Sequence, residues 1–229
     1  MPIIFAFGAS KGIGSVFCKK AIEKGYKIVL FARTNPYDIK SDFVSVDFLN
    51  EDDFLMKLNL KITEYKTIDH LVFSQKYRGE PNLDKEITLN IKTIINTIEC
   101  IKNKLTKSIV MVSSSAARLV TKTQGVEYHV AKAGVESLVR YYAVNLDKIR
   151  VNAVSPTVTI KPENMEFYKN NPKLVKQYEQ IYPLQKMPEA SDIAEAILWL
   201  LNAPFINGEV IKIDAGVNLL EIETLINKG

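Results

Sequence analysis

Two hydrophobic patterns alternate along the 229 residues of this chain, and this alternation limits the fold more than any other feature of the sequence. Short β-branched and aromatic runs are separated by longer stretches whose apolar residues recur at helical spacing. Strands separated in this way cannot pair as hairpins, so they pair in parallel through right-handed helical crossovers. The runs are Ile3–Phe7, Lys27–Ala32, Asp42–Val46, His70–Phe73, Ser108–Val112, Arg150–Val154 and Glu209–Ile213.

The pattern predicts one α/β domain over residues 1–229, with helices on both faces of a parallel sheet. The helix after the first strand is expected to end at Gly25, a residue type that commonly terminates helices. The stretch from Thr157 to Pro188 is rich in Pro, Asn and Lys. We interpret it as a substrate loop at about residues 157–188.

Composition excludes several classes of protein. Apolar residues make up 47% and charged residues 24%, as in ordinary globular domains. No run of eighteen apolar residues occurs, and the apolar amino terminus is too short for a signal peptide, so we predict no membrane contact. Cys18 and Cys100 are too few for a disulfide framework, and only His70 and His129 could join them as metal ligands. We therefore predict reduced thiols, no metal and a cytoplasmic location.

The chain has a formal charge of +4, with 30 basic and 26 acidic residues. The basic residues are mixed with acidic ones along the whole length and form no block or aromatic-interleaved stripe. This distribution indicates a solvated surface, and we predict no nucleic-acid partner.

A glycine-rich segment, Gly8-Ala9-Ser10-Lys11-Gly12-Ile13-Gly14, follows the first strand and opens the first helix. Glycine allows a tight turn and lets the backbone approach a pyrophosphate closely. The N–H groups at the start of the helix can then hold the anion. The segment predicts a dinucleotide site, although its spacing differs from the commonest dinucleotide fingerprint.

The motif Tyr-x-x-x-Lys occurs twice, at Tyr128/Lys132 and at Tyr182/Lys186. Pro183 disfavours helical backbone at Tyr182, so the second pair need not share one face. Tyr128 and Lys132 lie in a long helical pattern that extends to Leu146 and places positions i and i+4 side by side. A nearby ammonium favours a phenolate, so we expect Lys132 to lower the pKa of Tyr128.

In their order and spacing, these motifs resemble those of the classical short-chain dehydrogenase/reductase family. Counting thirteen residues back from the tyrosine, as the family spacing requires, selects Ser115. Asn90 matches the helical asparagine of the family's Asn-Ser-Tyr-Lys tetrad, and the segments 149–156 and 206–216 match its last two strands. The resemblance implies a Rossmann-like doubly wound sandwich with strand order 3-2-1-4-5-6-7.

The resemblance also implies a cofactor. The second strand ends in Ala32-Arg33 where NAD-dependent members often carry an aspartate, and Lys11 offers a second cation for a 2′-phosphate, so NADP is favoured over NAD. Asp47 and Phe48 match the pair that contacts adenine. The cofactor-binding residues implied are Gly8, Ser10, Lys11, Gly12, Ile13, Gly14, Arg33, Asp47, Phe48, Ser74, Tyr128, Lys132, Pro156 and Thr159.

The implied activity is hydride transfer between NADPH and a carbonyl compound or secondary alcohol. Tyr128 would be the general acid/base, Ser115 would hydrogen-bond the carbonyl oxygen, and Asn90 would order a water that links Lys132 to solvent. A 3-oxoacyl-thioester reductase is an alternative within the family. A regulator that binds NADP without catalysing a reaction is an alternative of a different class. Homodimers or homotetramers through two long helices are implied as well.

Three positions depart from the family pattern. Phe7 stands where a threonine usually opens the glycine loop, and Ser74-Gln75-Lys76 stands in place of Asn-Ala-Gly after the fourth strand. Thr157 replaces the glycine that follows Pro156.

Overall fold

The fold is described from a computed structural model covering residues 1–36, 38–221 and 223–224. The strands are β1 (Ile3–Phe7), β2 (Lys27–Ala32), β3 (Asp42–Ser45), β4 (Ile68–Phe73), β5 (Leu105–Val112), β6 (Arg150–Pro156) and β7 (Val210–Ile213). They form one sheet in the order β3-β2-β1-β4-β5-β6-β7, and every neighbouring pair is parallel. The predicted doubly wound α/β fold is confirmed, because each strand lies where the sequence pattern put one.

Helices cover both faces of the sheet. They are α1 (Gly12–Glu23), α2 (Glu51–Thr63), α3 (Leu83–Ile87), α4 (Thr93–Ile101), α5 (Val126–Asn145), α6 (Met165–Asn170), α7 (Pro172–Ile181) and α8 (Ala190–Asn202). The apolar sides of α1 and α8 pack in one core, and those of α2, α4 and α5 pack in the core on the opposite face. Gly25 follows α1 with φ +84°, as expected of a residue that ends a helix.

Phe7 belongs to the core. Its ring stacks on Phe31 of β2 at 4.8 Å and on Phe73 of β4 at 4.9 Å between centroids. The three rings lie side by side across the centre of the sheet, directly below the glycine loop. The unusual residue at the start of that loop is therefore explained by packing, since β1 lies between β2 and β4.

The segment interpreted as a loop, residues 157–188, contains α6 and α7, so its description as a loop is wrong. Pro162 and Pro172 each occupy the start of a helical turn, where a missing N–H costs nothing. The prolines and asparagines that suggested irregular backbone instead mark where helices begin and end. A role for this segment in substrate binding stays a prediction.

The sheet reverses its winding direction between β1 and β4. The chain moves outward from β1 to β2 and β3, then returns to β4 on the other side of β1. Crossover connections leave a crevice at the carboxyl ends of the strands at such a point, and ligands of open α/β sheets bind there. The topology thus indicates where a site should lie.

Candidate functional site

A cleft opens at the carboxyl ends of the central strands. Its larger cavity, of about 440 Å³, is lined by Gly8, Ser10, Lys11, Arg33, Asp47, Phe48 and Ser74. A smaller adjoining cavity is lined by Gly12, Ile13, Gly14, Tyr128, Lys132, Pro156 and Thr159. The two cavities share lining residues, Lys11 and Ser74 among them. The structure therefore brings every residue predicted to contact the cofactor to one continuous cleft.

The glycine loop presents the start of α1 to this cleft. Lys11 precedes the helix without a capping side chain, and the first turn contains no acidic residue. The first N–H groups of the helix therefore keep their capacity to bind an anion. Gly8 has φ +70°, and a Cβ atom there would lie 2.5 Å from Cα of Gln75. This tight backbone approach explains the first glycine of the loop.

Four cations line the larger cavity: Lys11, Arg33, Lys76 and Arg78. Arg33 follows β2, Lys11 lies in the glycine loop, and both side chains are exposed. Within residues 1–36, 38–221 and 223–224, neither has a carboxylate oxygen within 4.0 Å. Asp47, on the same cavity, accepts a hydrogen bond from the N–H of Leu49 at 3.1 Å. The cavity thus combines the accessible cations Arg33 and Lys11 with the acceptor Asp47.

Tyr128 and Lys132 lie one turn apart on α5 and face the smaller cavity. The Nζ atom of Lys132 is 5.8 Å from the centroid of the Tyr128 ring. It donates hydrogen bonds to the carbonyl oxygen of Val112 and to Oδ1 of Asn90, each at 3.0 Å. The structure thus joins Asn90 to Lys132 directly, where the resemblance implied an ordered water.

Burial has the largest effect on the pKa values of Tyr128 and Lys132. It lowers the pKa of Lys132 to about 8, against an opposing effect of the negative charge of Glu86. Burial also raises the pKa of Tyr128, while the hydrogen bond with Ser114 lowers it and the charge of Glu86 raises it. The expected lowering of the Tyr128 pKa by Lys132 is therefore not found, since the Lys132 ammonium group donates to the carbonyl oxygens of Val112 and Asn90 rather than to the phenol oxygen.

Glu86 extends the chain of hydrogen bonds inward, and sequence reasoning missed it. Its Oε2 atom accepts a hydrogen bond of 2.7 Å from Nδ2 of Asn90, and only 5% of the residue is exposed. Asn90 is in the π-helical turn Thr88–Lys92, which follows α3 and its residue Glu86. Burial raises the pKa of Glu86, and the positive charge of Lys132 opposes that rise. The four-residue spacing on a helix was the signal that could have found this contact.

The three serines after β5 have different surroundings, and the predicted Ser115 is not the one that lines the cavity beside Tyr128. Ser113 is buried and donates to Oε1 of Glu136 at 3.1 Å. Ser114 is in extended backbone and lines the smaller cavity together with Tyr128. Ser115 begins a 3₁₀ turn and does not line the cavity. Ser114, whose backbone is extended, therefore faces the cleft that Tyr128 lines, and Ser115 does not.

The residues that replace Asn-Ala-Gly after β4 fit closely around the loop. Ser74 donates from its hydroxyl to the carbonyl oxygen of Phe7 at 3.2 Å, and Gln75 donates from Nε2 to that of Leu89 at 3.1 Å. Thr157 on the opposite side accepts a hydrogen bond of 2.7 Å at its carbonyl oxygen from the Thr159 hydroxyl. Ser74, Gln75 and Thr157 thus make ordered contacts within the protein.

The described residues contain neither a cluster of metal ligands nor a helix able to span a membrane. No group of three or more His, Cys, Asp or Glu side chains in residues 1–36, 38–221 and 223–224 is arranged to hold a metal ion. Over the same part of the chain, every helix is too short or too polar to cross a membrane.

A sequence profile described as Enoyl-(Acyl carrier protein) reductase matches residues 8–218. A putative ketoacyl reductase of the granaticin polyketide synthase of Streptomyces violaceoruber is 25% identical, over 96% of this chain and 97% of that protein. Glucose 1-dehydrogenase of Gluconobacter oxydans is also 25% identical, over 94% and 91% of the two chains.

Solved structures share the fold. A short chain dehydrogenase family protein from Francisella tularensis superposes with a TM-score of 0.82 at 22% identity, covering 96% of this chain and all of that one. The aldohexose dehydrogenase of Thermoplasma acidophilum also gives 0.82 at 22% identity, over 96% and 95% of the two chains.

Proposed function

This chain belongs to the short-chain dehydrogenase/reductase family of oxidoreductases, and from that membership we propose that it transfers hydride between NADPH and a carbonyl compound or secondary alcohol. One observation carries the proposal. Tyr128, Lys132 and Ser114 face the same cleft as the glycine loop at the start of α1. A site for a dinucleotide therefore adjoins a group able to donate a proton.

Each residue of the site has a separate role in the proposed reaction. Tyr128 donates its proton to the carbonyl oxygen during reduction and recovers it during oxidation. Ser114 donates a hydrogen bond to the same oxygen, where negative charge develops. Lys132 holds a positive charge beside the tyrosine, and Asn90 and Glu86 fix the position of that ammonium group. When bound, the nicotinamide supplies the hydride.

The residues that line the larger cavity fit NADP. The uncapped start of α1 can hold the pyrophosphate, and Arg33 with Lys11 can bind the 2′-phosphate. No aspartate stands directly at the end of β2, where it would bind the ribose hydroxyls and repel that phosphate, because Arg33 follows Ala32. This absence and the two accessible cations support NADP over NAD.

A steady-state assay tests the activity. NADPH oxidation is followed at 340 nm with a panel of ketones, aldehydes, quinones and 3-oxoacyl thioesters. We expect turnover with at least one class. Tight NADPH binding without turnover across the panel would instead favour the alternative of an NADP-binding regulator.

A 3-oxoacyl-thioester reductase is the second candidate. Relatives named 3-oxoacyl-[acyl-carrier-protein] reductase, from Bos taurus, and Acetoacetyl-CoA reductase, from an Acinetobacter strain, are 26% and 24% identical over more than nine-tenths of this chain. Acetoacetyl-CoA in the panel tests this candidate directly, with acetoacetate as its control without the thioester.

Assembly and location stay predictions. Val130, Tyr141 and Val144 on α5 are exposed apolar side chains, which supports the predicted homodimer or homotetramer. Sedimentation analysis of the purified protein measures the oligomeric state. The cytoplasmic location is supported by the composition alone.

Replacing Arg33 with aspartate tests the preference for NADP. We expect the dissociation constant for NADPH to rise about 100-fold or more, because an attractive charge becomes a repulsive one at the 2′-phosphate. NADH, which lacks that phosphate, should lose much less affinity. Fluorescence titration measures both constants. Lys40→Asp makes the same charge change at an exposed position outside the cavity, and an equal loss in both variants would contradict the assignment of Arg33.

Replacing Gly8 with alanine tests the close approach of the glycine loop. We expect NADPH affinity to fall about tenfold or more, because the new Cβ atom would meet Cα of Gln75 at 2.5 Å and displace the loop. Gly25→Ala is a matched control. Gly25 also has positive φ, at +84°, but has no neighbour within 4 Å of the added atom. It should lose about 1–2 kcal/mol of stability while binding NADPH normally.

A further inference from the structure

Two loops place three cations around the mouth of the smaller cavity. Lys76 and Arg78 follow β4, Lys161 follows β6, and all three line the cavity together with Tyr128. Lys76 stands where the family pattern has glycine, so its side chain is an addition that the fold does not require. Lys76 therefore adds a positive charge to the cavity that Tyr128 lines.

Lys76 lies against the tyrosine itself. Its Nζ atom is 5.0 Å from the centroid of the Tyr128 ring, so Tyr128 has one ammonium group from Lys76 and another from Lys132 close to its ring. The Lys76 side chain is exposed overall, yet protein atoms crowd its ammonium group. This crowding is the main cause that lowers the pKa of Lys76, and the charges of Lys161 and Arg78 lower it further.

The positive charge at this mouth is poorly balanced. Arg78 pairs with Glu163, with 3.0 Å between Nη2 and Oε1. Across residues 1–36, 38–221 and 223–224, neither Lys76 nor Lys161 has a carboxylate oxygen within 4.0 Å. Like charges crowded in a partly desolvated cleft repel one another strongly, and an anion bound among them would relieve that repulsion.

The phosphates of the proposed cofactor account for Arg33 and Lys11. Arg33 and Lys11 lie at the larger cavity, at the end proposed for the 2′-phosphate. Lys161 and Glu163 both lie over the glycine loop, where a Cβ atom on Gly12 would be 3.5 Å from Cδ of Lys161 and 2.9 Å from Oε1 of Glu163, so the charges there partly offset each other. Lys76 lines both cavities, and among the loop cations it is the one whose ammonium group lies over the Tyr128 ring.

We propose that Lys76 binds an anionic group of the substrate, so that this enzyme acts on carbonyl compounds that carry a carboxylate or a phosphate. The inference rests on the proposed function, because it assigns the substrate of the same cleft. With Lys76 against one side of Tyr128, the anion is held near the carbonyl that receives the tyrosine proton. A neutral carbonyl compound would leave the ammonium group without a counter-ion.

Matched substrate pairs test the proposal with NADPH. The pairs are pyruvate with ethyl pyruvate, acetoacetate with ethyl acetoacetate, and dihydroxyacetone phosphate with dihydroxyacetone. We expect kcat/KM to favour the anion in at least one pair by about tenfold or more, and Lys76→Met to remove that preference. The pair that responds distinguishes carboxylate from phosphate. Lys85→Met, which removes an exposed ammonium group over the ring of Tyr77 outside the cavity, should keep the preference.

Three results would overturn the assignment. The first is a preference for the neutral partner in every pair. The second is an equal loss of kcat/KM for both members in Lys76→Met, which would mean that Lys76 acts through Tyr128. The third is a loss of NADPH affinity in Lys76→Met as large as the loss of anion preference, which would assign Lys76 to the cofactor.

A binding measurement separates this inference from the proposed function. Melting temperatures of the NADPH-loaded protein are recorded with each of the three anions and each neutral partner. Stabilisation by an anion in the wild type but not in Lys76→Met, without turnover, would support the anion site and contradict the reductase. Turnover confined to neutral compounds would support the reductase and contradict the anion site. If no anion stabilises or reacts, the anion site is refuted.

Discussion

Replacing Tyr128 with phenylalanine is expected to lower kcat about 10²–10⁴-fold and to leave NADPH affinity largely intact. Phenylalanine keeps the ring that lies beside Lys132 and Lys76 but removes the proton that the carbonyl oxygen must receive. Stopped-flow and steady-state measurements of NADPH oxidation, together with a fluorescence titration of NADPH, separate the chemical step from binding.

Tyr182→Phe is the matched control, because Tyr182 belongs to the second Tyr-x-x-x-Lys motif. Tyr182 follows α7 in extended backbone, with φ −71° and ψ 129°, so it does not share a helical face with Lys186. We expect its kcat to stay within about threefold of the wild type. A large loss in Tyr182→Phe with little loss in Tyr128→Phe would show that the wrong motif has been assigned to catalysis.

The sheet could be predicted because its signal is local. Each strand is a short apolar run, and a parallel strand buried on both faces needs apolar side chains on both. The order of the strands came instead from the family resemblance, and the structure confirms it. The helices within residues 157–188 could not be predicted from the local sequence. Proline can either begin a helical turn or interrupt a helix, and Pro162 and Pro172 begin one.

The predicted cofactor-binding residues all line the cleft, but at the serine the structure puts Ser114 rather than Ser115 on the cavity wall. Counting from Tyr128 assumes a fixed number of residues between β5 and α5, and the sequence cannot show where the intervening turn takes up an extra one. Ser114 continues the extended backbone after β5, with φ −160° and ψ 154°, while Ser115 starts the turn. The strand end is thus a better reference point than the distant tyrosine, because backbone conformation decides which hydroxyl faces the cleft.

Glu86 was missed because its partners come from different parts of the fold. The i, i+4 spacing to Asn90 was visible in the sequence, but the approach of Lys132 from α5 was not. Only the packing of the two helical segments creates a buried row of Glu86, Asn90 and Lys132. Fully hydrogen-bonded buried polar networks of this kind hold their members in fixed positions.

Replacing Lys132 with methionine is expected to lower kcat about 10²–10³-fold, because the charge that favours the developing tyrosinate is lost. Asn90 and Val112 would each lose a donor, so the free energy of unfolding should fall by about 1–3 kcal/mol as well. Thermal denaturation monitors folding while NADPH oxidation monitors catalysis. A folded variant with wild-type kcat would contradict the role of Lys132.

The same charge predicts the pH dependence of the wild type. Lys132 is positively charged below its pKa of about 8 and neutral above it, so kcat for carbonyl reduction should fall as the pH rises through about 8. Tyr128, whose pKa is raised, keeps its proton over this range. A fall that begins only above pH 10 would assign the dependence to Tyr128 instead.

Glu86→Gln tests which group controls that fall. The negative charge of Glu86 raises the pKa of Lys132, and the positive charge of Lys76 lowers it, so removing the Glu86 charge should move the fall to lower pH. Glutamine preserves an acceptor for Asn90, so a purely structural role would leave the profile in place. Glu127, which also influences Glu86, keeps its charge in this variant. Glu80→Gln, at an exposed position, is the control, and an equal shift in both variants would exclude Glu86 as the positioning residue of Lys132.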